Sequence, residues 1–451
     1  MAAGDLAGIQ ERLDDFLVPF QKLFPRAEHR EHASIYVNGR LRNLPRRTTE
    51  PIAIERGKKR RPLQHFVGAG KWDDDPIRTE VCQQVVAEMG SADGVLILDG
   101  SGFQKTGPNS VGTQRQWCGR LGKEEQCQVG EFLVYASQGS IALVDCELYL
   151  PKTWADDKAR RAQCHVPKQI TFKTGWQLAE QMVIDQGKLL PHRWIVGDDN
   201  YGRPTELRDR LHGHGEQYML EVHSDAKVRL ARGGGWTTAD AWSNSLPRSA
   251  WEHFKVRDGE KGPIEVRAVK VRVYTPRARG KGPERPEILV VVRNERDSKS
   301  WTYLASDTRT KLRELVRVGS CRHGIEQMLN MAKGDVGLDE YELRSWVGWH
   351  HHMTLSIVSL WFLVCEHRRL KKIHRQSLFP RSVVRSPSKP SRSGAQRRSP
   401  SSSAPSSVAT TKRAATIGSG GEDAHHRGCT RGHRSPGLVR DHATPELAQF
   451  N

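Results

Sequence analysis

Three acidic positions, far apart in the chain, have the residue types and surroundings for metal-dependent chemistry on phosphate esters. Asp99 closes the apolar run VLILD and is followed by GSG, and Asp198 with Asp199 closes RWIVG and is followed by NYG. A near-continuous apolar run is the pattern of a strand buried on both faces, so each acid is expected at a strand end, at the edge of a buried sheet. Carboxylates held there are hard oxygen donors of the kind Mg²⁺ or Mn²⁺ prefers. Each acid also has an ordinary reading as a turn cap, Asp99 with Gly100 and Ser101 for instance.

The third position is Glu326, in RHGIEQMLNMAKGDVGLDEYELRSW. Ile325, Met328, Leu329 and Ala332 recur at helical spacing and predict a buried stripe. At about 100° per residue, Arg322, Glu326 and Lys333 project within roughly 40° of one another, which sets a carboxylate between two cations on one face. By spacing alone this is also the pattern of a salt-bridged helix surface. Taken with the two strand acids, it supplies the minimum of three carboxylates for two cations about 3.5 to 4 Å apart.

The elements that must position these residues follow from periodicity. Between Gly94 and Leu220 the runs VLILD, EFLVYAS, ALVDCELYL, HRWIVGDD and QYMLEV predict short strands, with a helix over Trp176 to Gln186. From Glu221 to about Thr308 the chain is rich in strands and turns, with IEVRAVKVRVY and EILVVVR as the clearest strands. Helices return from Lys311, and the last long one runs through Met353 into the basic stretch Arg368 to Arg375. The N-terminal region carries a helical pattern over Leu6 to Phe24 and a basic stretch from Arg40 to Arg61, a candidate DNA-end-binding module.

The chain has 451 residues and a formal charge of +19, with a pI near 9.7, a balance that favours a polyanionic partner through counterion release. The eight cysteines are scattered without a CxxC spacing, and they read as reduced and mostly structural. The chain does not open with a secretory pattern, and the apolar run Met353 to Cys365 is short of the roughly 20 residues that span a bilayer. It is expected to be a packed helix. From Arg381 to Asn451 the composition collapses into Ser, Pro, Arg and Gly, which predicts disorder.

Other candidate sites are weaker. Gly102 to Gly107 has the outer spacing of a phosphate loop, but Pro108 and Asn109 stand where Lys and Ser/Thr are required. His350, His351 and His352 are consecutive, so a helix turns them to different sides, away from a common zinc ion. Trp117, Trp346 and Trp349 could stack on DNA bases or pack in the core.

The stretches LDGSGFQKTGPNSVGTQRQWCGRLGKEEQCQVGEFLVYAS, LYLPKTWADDKARR, WIVGDDNYGR and IEQMLNMAKGDVGLDEYELRSWVGWHHHMTL resemble the insertion-sequence transposases of the DDE superfamily, bacterial cut-and-paste enzymes. The resemblance covers most of residues 90 to 370. It implies an α/β fold with a ribonuclease H-like mixed-sheet catalytic core (76–220 and 309–378) and a β-rich insertion (221–308), beside which the sequence pattern sets a helical, DNA-binding N-terminal region (1–75) and a disordered tail (379–451). It implies Asp99, Asp198 and Glu326 as catalytic metal ligands for two Mg²⁺ or Mn²⁺ ions, with Asp199 the weaker choice for the second. Arg322 and Lys333 match the family's R-x3-E-x6-K helix and would contact DNA, whereas the Tyr that often precedes that Arg is replaced by Gly319.

The partners so implied are double-stranded DNA, as element ends and as target, with room for a homodimer on paired ends. A membrane is not among them, and the expected location is the bacterial cytoplasm, at the nucleoid. The tail has no counterpart in the family, and its composition fits translation after a frameshift.

Overall fold

The computed structural model describes residues 8–378 except 260–261, 278–284 and 297–298, so the tail expected to be disordered lies outside the described residues. Five helices open the chain: α1 (Ile9–Gln21), α2 (Ala27–Arg40), α3 (Thr49–Glu55), α4 (Arg60–Ala69) and α5 (Asp75–Met89). Strands β1 (Val95–Gln104), β2 (Gln114–Cys118), β3 (Lys123–Ser137) and β4 (Ser140–Leu148) follow as an antiparallel group. The short helices α6 (Lys152–Ala155) and α7 (Lys158–Gln163) lead to α8 (Gly175–Asp185), whose start is set by a reciprocal Thr174–Gln177 cap.

Next come β5 (Trp194–Gly197), α9 (Asp199–Gly202), α10 (Thr205–Gly213) and β6 (Tyr218–Val222). The predicted β-rich stretch contains the small pair β7 (Lys227–Val228) and β8 (Thr237–Thr238), helix α11 (Ala239–Asn244), and the strands β9 (Glu252–Gly259), β10 (Gly262–Val273), β11 (Glu287–Asn294) and β12 (Ser300–Ala305). Helices α12 (Leu312–Cys321), α13 (His323–Val336) and α14 (Trp346–Leu378) complete it.

Ten of the described strands join in one mixed sheet. Its first half has the order β4-β3-β1-β5-β6, with β5 and β6 parallel to β1 and β3 antiparallel to it. That is the ribonuclease H-like arrangement. The remaining strands extend the same sheet, because β12 pairs antiparallel with β6 and is followed outward by β11, β10 and β9. Leu220 faces Leu304 across the junction, so the hydrogen-bonded ladder is continuous there.

Most of the longer helices bury one apolar face, and α14 buries nearly all of the circumference of its first half. Met353, Leu355, Ile357, Val358, Leu360, Trp361 and Phe362 are all buried, and the interspersed Ser356 and Ser359 satisfy their hydroxyls on the carbonyls of His352 and Leu355, as a helix running through a core requires. It packs on β4, α2, α4, α5 and α13, and among the described residues no helix is long and apolar enough to cross a membrane.

The N-terminal helices join this same core through Leu13, Phe20, Tyr36, Leu63 and Phe66. The basic stretch is consequently not a row of free cations. Arg40 is fully buried and donates to Tyr36 Oη and to the carbonyls of Arg47 and Gly337. Arg47 pairs with Glu340 at 3.2 Å, Lys58 with Glu31 at 2.8 Å and Arg60 with Glu50 at 2.6 Å. The seven described cysteines are free thiols, five of them buried.

Candidate active site

Parallel pairing brings the two strand acids together. Leu98 of β1 is the register partner of Gly197 of β5, so the following residues, Asp99 and Asp198, emerge side by side on adjacent strands. Gly197 in turn faces Leu220 of β6, and the next residue there is Glu221, which extends the row of acids to a third strand. Asp99 departs from expectation in one respect. β1 does not end at it, because Gly100 to Gln104 continue in antiparallel pairing with Glu131 to Cys127 of β3.

Asp198 does leave the sheet, and caps α9 by accepting from the Asn200 backbone at 3.0 Å and from Asn200 Nδ2 at 3.1 Å. Burial pushes the Asp99 carboxyl up to about 7, the Asp198 charge adds to the rise, and Arg322 opposes it. Asp198 is raised as well, by burial first and by Asp199 beside it, again with Arg322 opposing. The neighbouring Asp199 is turned toward His223, 3.9 Å away.

The cations come from the α12–α13 junction. Arg322 is not inside one continuous helix as the spacing suggested; it closes α12 and opens α13. From there its Nε lies 3.0 Å from Glu221 and its Nη2 3.8 Å from Glu326. Glu326 occupies the first turn of α13, is about half exposed, and also lies 3.2 Å from His323 Nδ1. Lys333 donates to Ser101 Oγ at 2.8 Å, two residues beyond Asp99, and stands over the Phe103 ring. The predicted buried stripe of Ile325, Met328, Leu329 and Ala332 seats α13 in the core.

The three acids singled out in the sequence are therefore linked unequally. Asp99 and Asp198 are neighbours, while Glu326 reaches them through Arg322. Among the described residues no group of three or more His, Cys, Asp or Glu side chains converges tightly enough to hold a metal ion. The donor chemistry nonetheless fits a divalent cation: two raised carboxylates lie side by side, and Arg322 is the cation that opposes both rises.

Sequence reading missed two acids here. Glu221 has a signal like that of Asp99, a lone acid late in an apolar run, YMLEV. Glu131 lies inside the strand EFLVYAS, is fully buried, and is pushed up to about 7 by burial, against a hydrogen bond donated by Tyr201 of α9. Its carboxylate fits because residue 175 is glycine, where a Cβ would stand 2.5 Å from Oε1.

Beside Glu326 lies a cavity of about 470 Å³ whose walls include Val266, Val292, Trp301, Tyr303 and Arg322. Gly319, the departure from the family helix, faces the ring of Tyr303 from β12, to which a Cβ would come within 3.4 Å. The lesser candidates resolve into packing. His350, His351 and His352 are buried against Glu147, Trp72 and Tyr36 respectively, and Trp346 and Trp349 are core residues.

A ribonuclease H-like sheet with paired aspartates just beyond the parallel pairing of its central strands defines the class of protein. Residues 19–263, more than half of the chain, match the family described as DDE superfamily endonuclease, and the chain belongs to that family. The matched segment includes Asp99 and Asp198 and stops short of Glu326. The chain is also 26% identical over 185 residues to the probable transposase for insertion sequence element IS701 of Microchaete diplosiphon, which covers 39% of this chain and 49% of that protein. The chain thus spans about half the length of the curated relative it matches.

Proposed function

We propose that this chain is an insertion-sequence transposase that cuts the ends of its element and joins the freed 3′-hydroxyl to target DNA. The observation that carries this reading is the placement of Asp99 and Asp198 side by side at the carboxyl edge of a ribonuclease H-like sheet, within the segment that matches the endonuclease family. Asp99, Asp198 and Glu326 would hold Mg²⁺ or Mn²⁺, two ions in all, and Arg322 and Lys333 would contact DNA phosphates. Bound there, the ions supply charge neutralisation for the attacking and leaving oxygens of phosphoryl transfer.

The chain's own residues do the positioning. Lys333 is tethered to Ser101 beside Asp99, so a phosphate held by its ammonium group lies next to the acid pair. Arg322 balances the acids in the free protein and can turn one of its donors to DNA. Exposed Lys59 and Arg61 add to a surface suited to the duplex outside the cut, with double-stranded element ends and target as partners.

The test is cleavage of an element-end duplex with Mg²⁺ by the Asp99→Ala, Asp198→Ala and Glu326→Ala variants. Each should lose activity by a factor of about a thousand or more, the scale of electrostatic transition-state stabilisation. Activity retained in any variant removes that residue from the site. A precut end incubated with target DNA separates a transposase, which joins it, from a nuclease, which does not.

A further inference from the structure

The hairpin of β2 and the first part of β3 takes no part in the site described above. Gln114 to Cys118 pair with Cys127 to Lys123, and the turn closes through Gly119–Leu121 and through Gly122 at φ 60°. Trp117 on this hairpin is 63% exposed and Leu121 at its tip is 39% exposed, whereas Trp154, Trp194, Trp349 and Trp361 are fully buried. Trp117 is the most exposed tryptophan of the chain, ahead of Trp236 at 47%, and it stands with Leu121 on one short hairpin, so its indole face is open to a stacking partner.

The position of the hairpin says where that partner lies. On β3, Phe132 faces Asp99 and Glu124 faces Trp117, so the two sites are eight residues apart along one strand. At about 3.3 Å per residue this is roughly 26 Å, close to the length of seven or eight base pairs at about 3.4 Å each. The offset runs past the carboxyl ends of β5 and β6, the edge that carries Asp198 and Glu221. The hairpin therefore rises beside the space from which a substrate must reach the acids.

We propose that the β2–β3 hairpin is a DNA wedge: Trp117, backed by Leu121, packs against the bases of the duplex some seven or eight base pairs from the scissile phosphate. The inference rests on the proposed function and adds a contact to it. Two apolar side chains are far less than the roughly 800 Å² per partner of a stable protein interface, whereas a wedge in a DNA groove needs no more than that. The surroundings suit a polyanion: Arg115 is highly exposed, its contact with Glu124 is 3.8 Å, and the segment 114–126 holds three cations against two acids in a chain of charge +19. Such an exposed pair is weak and can be exchanged for a phosphate.

The experiment places a photo-crosslinking benzoylphenylalanine at position 117 of the full-length chain and irradiates it with a duplex taken from the DNA flanking its gene. A crosslink to the duplex is expected; a crosslink to a second protein chain alone, or none from a preparation that binds the duplex, overturns the wedge. In parallel, Trp117→Ala should weaken duplex binding about tenfold while Trp117→Phe keeps most of it, the response of a stacking contact. Equal binding by Trp117→Ala and wild type also overturns it. A crosslink from the position-117 variant, together with a wild-type chain that binds the duplex and yet does not cleave it with Mg²⁺, sinks the transposase reading and leaves the wedge in place.

Discussion

Arg322 Nε lies 3.0 Å from Glu221, nearer than its guanidinium comes to Glu326 on its own helix, at 3.8 Å. A strand acid from β6 thus holds the cation that the helix presents to the row Asp99, Asp198 and Glu221. The pair is mostly buried, each side chain being 19% exposed, and it ties α13 to the acid-bearing edge of the sheet.

Removing the Glu221 charge releases Arg322 for phosphate. Glu221→Gln should bind duplex DNA a few-fold more tightly at low salt, with the difference shrinking as salt rises. A salt titration by mobility shift measures this. Weaker binding than wild type at every salt concentration would sink the idea that Glu221 competes with DNA.

The Asp99 carboxyl, pushed up to about 7 in the folded chain, has an unfolded value of about 3.9. The unfolded chain gives up its proton first, so this group's contribution to stability falls as pH climbs from about 4 to about 7 and is level above that. Asp99→Asn lacks the penalty and should melt above wild type at about pH 8, by a margin that narrows at about pH 5. Mg²⁺ should raise the wild-type melting temperature at about pH 8 more than that of the variant. A margin that does not change with pH would show that the Asp99 charge carries no such cost.

Gly202 ends α9 against the backbone of β6, where a Cβ would stand 1.8 Å from the Glu221 carbonyl oxygen. Gly202→Ala must push α9 away and take Asp198 and Tyr201 with it. The expected cost is about 1–3 kcal/mol or more, read by thermal melting, together with loss of cleavage although every acid is still present. Wild-type activity in this variant would mean that the α9 position does not matter to Asp198.

Arg78 is buried amid Asp74, Asp145 and Glu147, at 3.4, 3.3 and 3.6 Å, and donates to the Cys146 carbonyl at 2.8 Å. Arg78→Met strands these carboxylates without their cation, and breaking such a set costs about 3–5 kcal/mol. The loss should be smaller at low pH, where the stranded acids take up protons. Chemical denaturation at two pH values checks both the size and the direction.

Much of the protein was legible in its sequence. The strands VLILD, EFLVYAS, QYMLEV and EILVVVR and the stripe Ile325, Met328, Leu329 and Ala332 declare themselves because burial imposes a periodicity that neighbouring residues reveal. The apolar run through Met353 was legible as a packed helix for the same reason. Asp99 and Asp198 stood out as acids closing apolar strands.

The tertiary structure decided the rest. The register of Leu98 on Gly197 and of Gly197 on Leu220 is a long-range pairing, and it alone makes Asp99, Asp198 and Glu221 neighbours. The turning inward of Arg40, the break between α12 and α13 at Arg322 and the extension of one sheet through β12 depend likewise on what each segment meets after folding. Local sequence specifies which residues prefer a strand or a helix, but the partner of a buried charge such as Arg322 lies on another element, here Glu221 of β6, and that choice exists only once the chain has packed.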